Sequence, residues 1–236
     1  YIERGARRSA AVMVPLLRGQ LAVRSVLDVG CGHGVWLAAW SEAGLAEIFG
    51  VDGEYVDPAT LLVPPAAFLA ADLAQGFRLG RCFDLVQCLE VAEHLPCEAA
   101  DRLVESLVAH GDLILFSAAT PGQGGEHHVN EQPLDYWRNK FLNHFYLGFD
   151  CVRPALRDDR RVEPWYRYNT ILYASPAIRR QLPESVRATA LAPDRDIPEL
   201  APLSWRLRRR VLKHLPAPVS ETLARMRHRL VLGLRP

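Results

Sequence analysis

The sequence predicts an α/β protein built as a doubly wound, mostly parallel sheet with helices on both faces. Short apolar runs typical of strands alternate with segments of helical periodicity over the first half of the chain. The first of these runs ends in a glycine-rich turn that leads directly into a helix. Such alternation implies parallel strands joined by crossover helices. With 236 residues, the chain is long enough for one large domain of this kind and short for two.

The elements follow in order. An amphipathic helix opens the chain over residues 2–21, because Ala6, Ala10, Val14 and Leu17 recur at helical intervals. Five strands are predicted, over residues 25–29, 48–52, 67–70, 83–88 and 112–117. Later helices are predicted over residues 35–40, 96–109 and 134–145. Two further strands, over 149–156 and 169–174, are predicted to close the sheet.

Charge is distributed unevenly along the chain. Between Trp205 and Pro236, nine basic residues stand against one glutamate, a formal charge of +8. Since the whole chain carries +1, the remainder carries −7. We therefore predict one domain over residues 1–175, followed over 176–236 by a proline-punctuated linker and a basic amphipathic helical extension. Such an extension either packs on the acidic body or makes weak contact with an anionic membrane surface.

Composition indicates a soluble protein, because 49% of residues are hydrophobic and no apolar run approaches the ~20 residues of a membrane-spanning helix. The five cysteines are odd in number and lack paired metal-site spacing. They are expected to be buried free thiols of a reducing compartment. A cytoplasmic location follows, with possible peripheral contact at the inner membrane face.

The strongest chemical signal is the segment from Asp28 to Gly34, which lies between a strand and a helix and contains Gly30, Gly32 and Gly34. Glycines let the backbone approach a ligand closely, and the N–H groups of the helix N-terminus then face it. Asp52 ends the next strand, 22 residues after Gly30. A carboxylate there accepts hydrogen bonds from both hydroxyls of a ribose. Together they predict a nucleoside-containing cofactor.

Two cofactors fit a nucleoside site, and electrostatics separates them. A nicotinamide dinucleotide places a pyrophosphate over the turn, where the carboxylate of Asp28 repels it. The spacing of the three glycines also differs from the G-x-G-x-x-G of dinucleotide turns. S-adenosylmethionine has no phosphate and carries an ammonium and a sulfonium, so a nearby carboxylate stabilises it.

Further motifs give the chain its family resemblance. Over residues 20–175 it resembles the class I S-adenosylmethionine-dependent methyltransferases, with the 28–34 segment similar to their first motif and Asp52 to their ribose-binding acid. Asp72 and Leu73 resemble the adenine-contacting segment, and Glu90 begins the motif that follows the fourth strand. The resemblance implies a Rossmann-like, seven-stranded sheet with a reversed last strand. An aspartate before Leu73 is also a plausible helix N-cap.

Two histidines are candidates for the acceptor side. Methyl transfer to an alcohol benefits from a general base, and histidine is the usual one. His94 follows the fourth strand, although a turn or capping role fits it equally well. His128 lies in a polar loop after the fifth strand, and we prefer it over its neighbour His127. A metal held by His127, His128 and Glu131 is disfavoured, because a hard cation wants more carboxylates, so we predict no metal.

The acceptor is predicted to be a small molecule or a glycan, methylated on oxygen. The acidic body disfavours a phosphate backbone, and the Asp/Asn-Pro-Pro-aromatic run of enzymes that methylate base amino groups is missing after the fourth strand. Nucleic acid is therefore not expected. The alternatives are a nicotinamide-dependent oxidoreductase, which Asp28 and the glycine spacing disfavour, and a catalytically silent cofactor-binding module.

Overall fold

The structure is a computed structural model, and it describes residues 2–213. Within that range a single sheet of seven strands runs through the protein, in the order β3-β2-β1-β4-β5-β7-β6. The strands are β1 Ser25–Val29, β2 Glu47–Asp52, β3 Phe68–Ala70, β4 Leu85–Leu89, β5 Leu113–Ser117, β6 Leu147–Phe149 and β7 Ile171–Ala174. All neighbouring pairs are parallel except those made by β7, which runs antiparallel to both β5 and β6. The predicted sheet, with its reversed last strand, is confirmed.

Eight α-helices surround the sheet in the described part of the chain. They are α1 Ile2–Gln20, α2 Val35–Glu42, α3 Ala100–Val108, α4 Leu134–Asn143, α5 Arg153–Leu156, α6 Pro164–Asn169, α7 Glu184–Arg187 and α8 Leu203–Lys213. Buried side chains of α1 and α2, such as Leu17 and Trp40, belong to one apolar cluster. Those of α3 and α4, such as Leu103 and Phe141, belong to a second. Two clusters formed by different helices place helices on both faces of the sheet, as predicted.

The predicted strand over residues 149–156 is wrong. Only Leu147–Phe149 pairs as β6, and the chain then turns into the short helix α5. Pro154 lies at the start of that helix, where it has no N–H to contribute to a strand ladder. Arg153 is fully buried and donates to both carboxylate oxygens of Asp150 at 2.8 and 2.7 Å. This buried ion pair fixes the turn between β6 and α5.

Residues 176–201 lie against the body of the protein. Leu191 N donates to the Gly148 carbonyl oxygen at 2.8 Å, which extends contacts at the edge of the sheet. Val186 and Ile197 are buried, one in each apolar cluster. The part of the predicted basic helical extension that follows Lys213 lies outside the described residues. No helix among residues 2–213 is both long enough and apolar enough to cross a membrane.

The cysteine prediction holds for three of the five residues. Cys31, Cys88 and Cys151 are buried free thiols. Cys82 and Cys97 are exposed, which corrects the expectation of burial. Cys82 lies in the loop before β4, and Cys97 lies in the turn before α3. In both places the backbone runs on the surface, so an apolar neighbourhood in sequence did not mean burial.

Candidate functional site

A cavity of about 680 Å³ opens at the carboxyl edge of the sheet, where β1 and β4 end. Ligands of open α/β sheets bind at this edge, and the volume lies within the range of small-molecule sites. One wall is the glycine turn after β1, and another is the segment after β4. Side chains from α1, α6 and α8 also line it: Glu3, Ala6, Trp165, Tyr166, Arg208 and Leu212.

The glycine turn requires glycine for two different reasons. Gly30 and Gly32 have φ angles of 78° and 51°, in the left-handed region that favours glycine. A Cβ atom on Gly30 would lie 2.3 Å from Val91 Cγ2, so a side chain there would collide with the segment after β4. A Cβ atom on Gly32 would have no neighbouring atom within 4 Å. Gly32 therefore leaves open space on the cavity side, which is the space a bound ligand would use.

Asp52 ends β2 and is held against the glycine turn. Its Oδ2 accepts from the Gly32 N–H at 2.6 Å, and its Oδ1 accepts from the Gly53 N–H at 2.7 Å. The Tyr55 hydroxyl also donates to Oδ1 through a short hydrogen bond. Tyr55 is 83% exposed and lines the cavity, so this hydroxyl can leave Asp52 without unpacking the core. Its bond to Asp52 occupies an oxygen that a ribose hydroxyl would need.

Asp28 lies within β1, behind the turn and outside the cavity lining. It is buried at 2% exposure, and its Oδ2 has no hydrogen-bond partner among residues 2–213. The pKa of Asp28 is raised to about 7, mainly by burial. The nearby Gln87 amide partly opposes this shift, and the charge of Asp52 adds to it. Asp28 lies two residues before Gly30 and outside the cavity lining, so it lies beneath the turn rather than in direct contact with a ligand.

Glu90 anchors a hydrogen-bond network at the end of β4. Its Oε2 accepts from Gln123 Nε2 at 2.7 Å, and Asn169 Nδ2 donates to Gln123 Oε1 at 2.8 Å. Burial raises the pKa of Glu90. Hydrogen bonds lower it, and the largest of these opposing effects comes from Gln123. Glu90 has a φ of 57°, a conformation that costs a non-glycine residue on the order of 1 kcal/mol. This strained turn directs its carboxyl group into the cavity wall.

His128 is held by a carboxylate in the loop after β5. Its Nδ1 lies 2.9 Å from Glu131 Oε1, and the side chain is 12% exposed. Glu131 also accepts from the N–H groups of Gly122 and Gly124, at 2.7 and 2.8 Å. Burial tends to raise the pKa of Glu131, but the hydrogen bonds from His128, Gly124 and Gly122 outweigh it and lower the pKa. An ionised Glu131 holds the proton on Nδ1 and leaves Nε2 as the acceptor atom on the cavity side.

His94 and Glu93 complete the wall that faces the turn. The His94 ring lies at the exposed rim, 5.0 Å from the His128 ring, and its Nδ1 lies 3.3 Å from the His127 carbonyl oxygen. Partial desolvation lowers the pKa of His94, and the neighbouring His128 adds to this. Glu93 is 1% exposed. Burial raises its pKa well above the usual range, with a contribution from Glu90 and opposition from nearby backbone N–H groups.

The other predicted residues lie apart from the cavity. Asp72 is exposed, and its Oδ1 accepts from the Ala74 N–H at 2.9 Å, which stabilises a turn over residues 73–75; no helix begins there in the described part of the chain, so the helix N-cap alternative is wrong. Leu73 is buried in the core beside α3. Gly34 is the N-cap residue that precedes α2, and it does not line the cavity. The structure thus brings together Gly30, Gly32, Glu90, His94 and His128, with Asp52 directly behind Gly32.

Several residues of the cavity escaped the sequence prediction. Glu93 follows Glu90 by three residues, a spacing visible in the sequence, yet we assigned it no role. Tyr55 and Gln123 carry no signal, because they reach the cavity only through loops. Trp36 in α2 is buried against Tyr166, with ring centroids 5.1 Å apart. The same edge-to-face pair forms part of the cavity wall.

Two features of this cavity suit a nucleoside ligand that carries positive charge. Gly32 leaves an open space over the turn, and Asp52 and Glu90 place carboxyl groups beside it. The fold and this turn are those of a nucleoside-dependent α/β enzyme. Family comparison agrees, since the sequence model described as "Methyltransferase domain" matches residues 2–148. The chain belongs to this methyltransferase family, which confirms the predicted class and the cofactor S-adenosylmethionine.

Individual relatives are more distant. The chain is 32% identical over 108 residues to a protein named Ubiquinone biosynthesis O-methyltransferase from Stutzerimonas stutzeri (strain A1501), covering 41% of this chain and 45% of that protein. The chain thus spans about half the length of the curated relatives it matches. Magnesium protoporphyrin IX methyltransferase (ChlM) from Synechocystis PCC 6803, solved with bound SAM, superposes with a TM-score of 0.51 and 22% identity, over 72% of this chain and 80% of that one.

A third comparison gives the same fold. The sugar N-methyltransferase KedS8 from Streptoalloteichus sp ATCC 53650 superposes with a TM-score of 0.51 at 16% identity, over 73% of this chain and 87% of that one. At these identities the two solved structures establish the fold alone. The identity of the acceptor must be argued from this cavity.

Proposed function

We propose that the chain transfers a methyl group from S-adenosylmethionine to an oxygen atom of a small molecule, either a sugar or another metabolite. The observation that carries the proposal is His128, whose ring faces the same cavity as the glycine turn and is oriented by Glu131 through Nδ1. An oriented histidine with a free Nε2 is suited to take or position the proton of a hydroxyl group. The relatives named O-methyltransferases support oxygen as the accepting atom.

On the donor side, the glycine turn and Asp52 would hold the nucleoside, with the Asp52 carboxylate taking the ribose hydroxyls in place of Tyr55. S-adenosylmethionine supplies the methyl group as an electrophilic carbon bonded to a sulfonium. The carboxyl groups of Glu90 and of the buried Asp28 lie near that charge, and a bound cation nearby favours their ionised forms. Trp36 and Tyr166 form an apolar wall that keeps water from the reacting centre. Asp72 and Leu73 stay proposed contacts to the adenine, although the hydrogen bond of Asp72 within its own turn competes with such a contact.

On the acceptor side, methyl transfer is an in-line displacement, so the protein must chiefly aim the nucleophile. His128 and His94 are the proposed catalytic residues, because both rings border the cavity and lie 5.0 Å apart. The lowered pKa of His94 favours its neutral form at neutral pH, in which one ring nitrogen can accept a proton. We give His128 the leading role, since it alone of the two is held by a carboxylate.

Calorimetry and product analysis test this function. Titrations with S-adenosylmethionine, its demethylated product and NAD should show binding of the first two and none of the third. Mass spectrometry should then detect methylation in a panel of phenols, sugars and amines, with hydroxyl compounds preferred. Binding of NAD instead would support the oxidoreductase, and cofactor binding without any methylated product would support the silent module.

We also propose weak contact between α8 and an anionic membrane surface. Leu203, Leu207 and Val211 recur every four residues on α8 and are exposed by 77%, 64% and 57%. Basic side chains flank them, among them Arg206 and Arg210. An exposed apolar stripe bordered by cations is the composition of a helix that lies on anionic lipid. The cytoplasmic location stays a prediction.

A further inference from the structure

Three side chains in the acceptor wall have the arrangement of a metal site. Glu93, His94 and His128 each offer one ligand atom, and these atoms all lie within 4.8 Å of one another. Glu93 and His94 belong to the turn after β4, and His128 belongs to the loop after β5. All three line the cavity that begins at the glycine turn. Neighbouring ligands of one cation lie roughly 3–4 Å apart when each bond is about 2.1 Å, so small side-chain rotations suffice.

Glu93 provides the independent evidence for a ligand at this place. It is 1% exposed, and neither of its carboxylate oxygens has a partner at ordinary hydrogen-bond distance and angle among the described residues. Burying a carboxylate without partners is costly, and proteins normally pair such a group or use it to coordinate a metal. Glu90, three residues earlier, has its oxygens engaged by Gln123 and Asn169. Glu93 is therefore the carboxylate that remains available to a cation.

The two histidines are already oriented for coordination. His94 Nδ1 lies 3.3 Å from the His127 carbonyl oxygen, and His128 Nδ1 lies 2.9 Å from Glu131 Oε1. Histidines that bind metals usually donate their other ring nitrogen to a carbonyl or a carboxylate, which fixes the tautomer and the ring orientation. In both rings Nε2 carries no hydrogen bond within residues 2–213, so its lone pair is available.

We infer that Glu93, His94 and His128 bind a divalent cation. Two imidazole nitrogens and one carboxylate oxygen form a mixed donor set that suits Mn²⁺, Fe²⁺ or Zn²⁺ better than Mg²⁺. Three protein ligands leave at least one coordination position open toward the cavity, which is the pattern of a catalytic rather than a structural site. The sequence prediction of no metal considered only residues near His128, whereas the fold adds Glu93 and His94 from a separate segment.

The role of the cation rests on the proposed function. An acceptor hydroxyl bound at the open position has a lowered pKa and loses its proton to water. The oxygen then forms the new bond to the methyl carbon as the carbon–sulfur bond breaks, and that electron pair stays on sulfur. In this arrangement His128 Nε2 is a metal ligand, and it positions the acceptor through the cation. The cation, rather than His128, then promotes deprotonation of the acceptor hydroxyl.

Binding of Mn²⁺ to the full chain tests the site without any acceptor. Electron paramagnetic resonance measures free Mn²⁺, whose signal should fall with a stoichiometry of one ion per chain, and Zn²⁺ should displace the bound ion because it binds such sites more tightly. Glu93→Gln and His94→Ala should each weaken Mn²⁺ binding by about tenfold or more. His94 lies at the rim, so its variant keeps the core intact. Glu126→Gln, in the same cavity but outside the cluster, should bind Mn²⁺ as the unaltered chain does.

Each outcome decides the inference separately from the proposed function. No loss of free Mn²⁺ signal at millimolar concentrations, or equal binding by the Glu93 and His94 variants, overturns the metal site. If methyl transfer to a hydroxyl compound persists after prolonged chelation with EDTA, the cation has no catalytic role. The proposed function would still stand. Mn²⁺ binding that depends on Glu93 and His94, together with no methyl transfer to any hydroxyl acceptor, supports the site and contradicts the proposed function.

Discussion

His128 Nδ1 and Glu131 Oε1 lie 2.9 Å apart, and the same carboxylate accepts the backbone N–H groups of Gly122 and Gly124. Glu131 thereby connects the orientation of the histidine ring to the shape of its loop. Glu131→Gln keeps the side-chain shape but removes the charge that holds the Nδ1 proton. We expect kcat to fall by about 10- to 100-fold, the usual effect of removing a partner that orients a reactive histidine. Steady-state kinetics would show this, and an unchanged kcat would contradict the orienting role.

His128→Ala tests the proposed catalytic residue itself. Loss of the histidine that positions the acceptor hydroxyl and promotes its deprotonation should lower kcat by about 10²–10⁴-fold. Affinity for S-adenosylmethionine, measured by calorimetry, should change little, because His128 lies on the acceptor side of the cavity. His127→Ala is the matched control, since its ring is exposed and makes no contact with the cavity. Full activity of His128→Ala at all pH values would remove the residue from the mechanism.

Asp52→Ala tests the donor site. It should weaken the binding of S-adenosylmethionine by roughly 1.5–3 kcal/mol, the range for a hydrogen bond to a charged group. Tyr55→Phe is the informative companion, because it removes the hydroxyl that occupies Asp52 Oδ1 and should leave the affinity equal or higher. Calorimetry measures both. If Asp52→Ala remains folded with unchanged affinity, Asp52 does not hold the ribose.

Asp28 gives a prediction about stability and pH. Its pKa in the folded protein, about 7, lies above the ordinary aspartate value of 3.8, so the folded state binds the proton more tightly between these values. The free energy of unfolding should therefore fall as pH rises from about 4 to about 7, with a contribution from Asp28 on the order of 4 kcal/mol at most. Asp28→Asn should flatten this fall in part, because Glu90 and Glu93 titrate with the same sign. Urea unfolding at several pH values measures how the free energy of unfolding changes with pH. An equal change with pH in both proteins would contradict the prediction.

Membrane contact through α8 should be weak and sensitive to salt. Each cation near an anionic leaflet contributes at most about 1 kcal/mol, and physiological salt screens the attraction beyond about 8 Å. Co-sedimentation with anionic and neutral vesicles, at low and high salt, measures the contact. Joint replacement of Leu207 and Val211 by glutamate should abolish pelleting with anionic vesicles. Their side chains are exposed, so the fold is retained. Equal pelleting of both proteins would leave α8 as part of the fold only.

Two arginines on the inner side of α8 contact the body of the protein. Arg208 donates to the Gln123 carbonyl oxygen at 2.9 Å, and Arg209 donates to Thr120 Oγ1 at 2.6 Å and pairs with Glu199. These cations bind the body of the protein and line or border the cavity. The sequence predicted a basic helix with two possible partners. Only the folded arrangement separates the side that packs on the body from the exposed stripe of leucine and valine.

The sequence by itself determined the sheet, the glycine turn and Asp52, because their signals are local: apolar runs, helical periodicity and glycine at positions of positive φ. It failed at residues 149–156, where Pro154 and the buried Arg153–Asp150 pair overrode the strand pattern. Only the tertiary structure decided which groups meet in the cavity. Glu93 and His128 lie 35 positions apart in the chain and become neighbours because β4 and β5 are adjacent parallel strands that end at the same edge. Parallel pairing brings together residues that no spacing rule in the sequence connects.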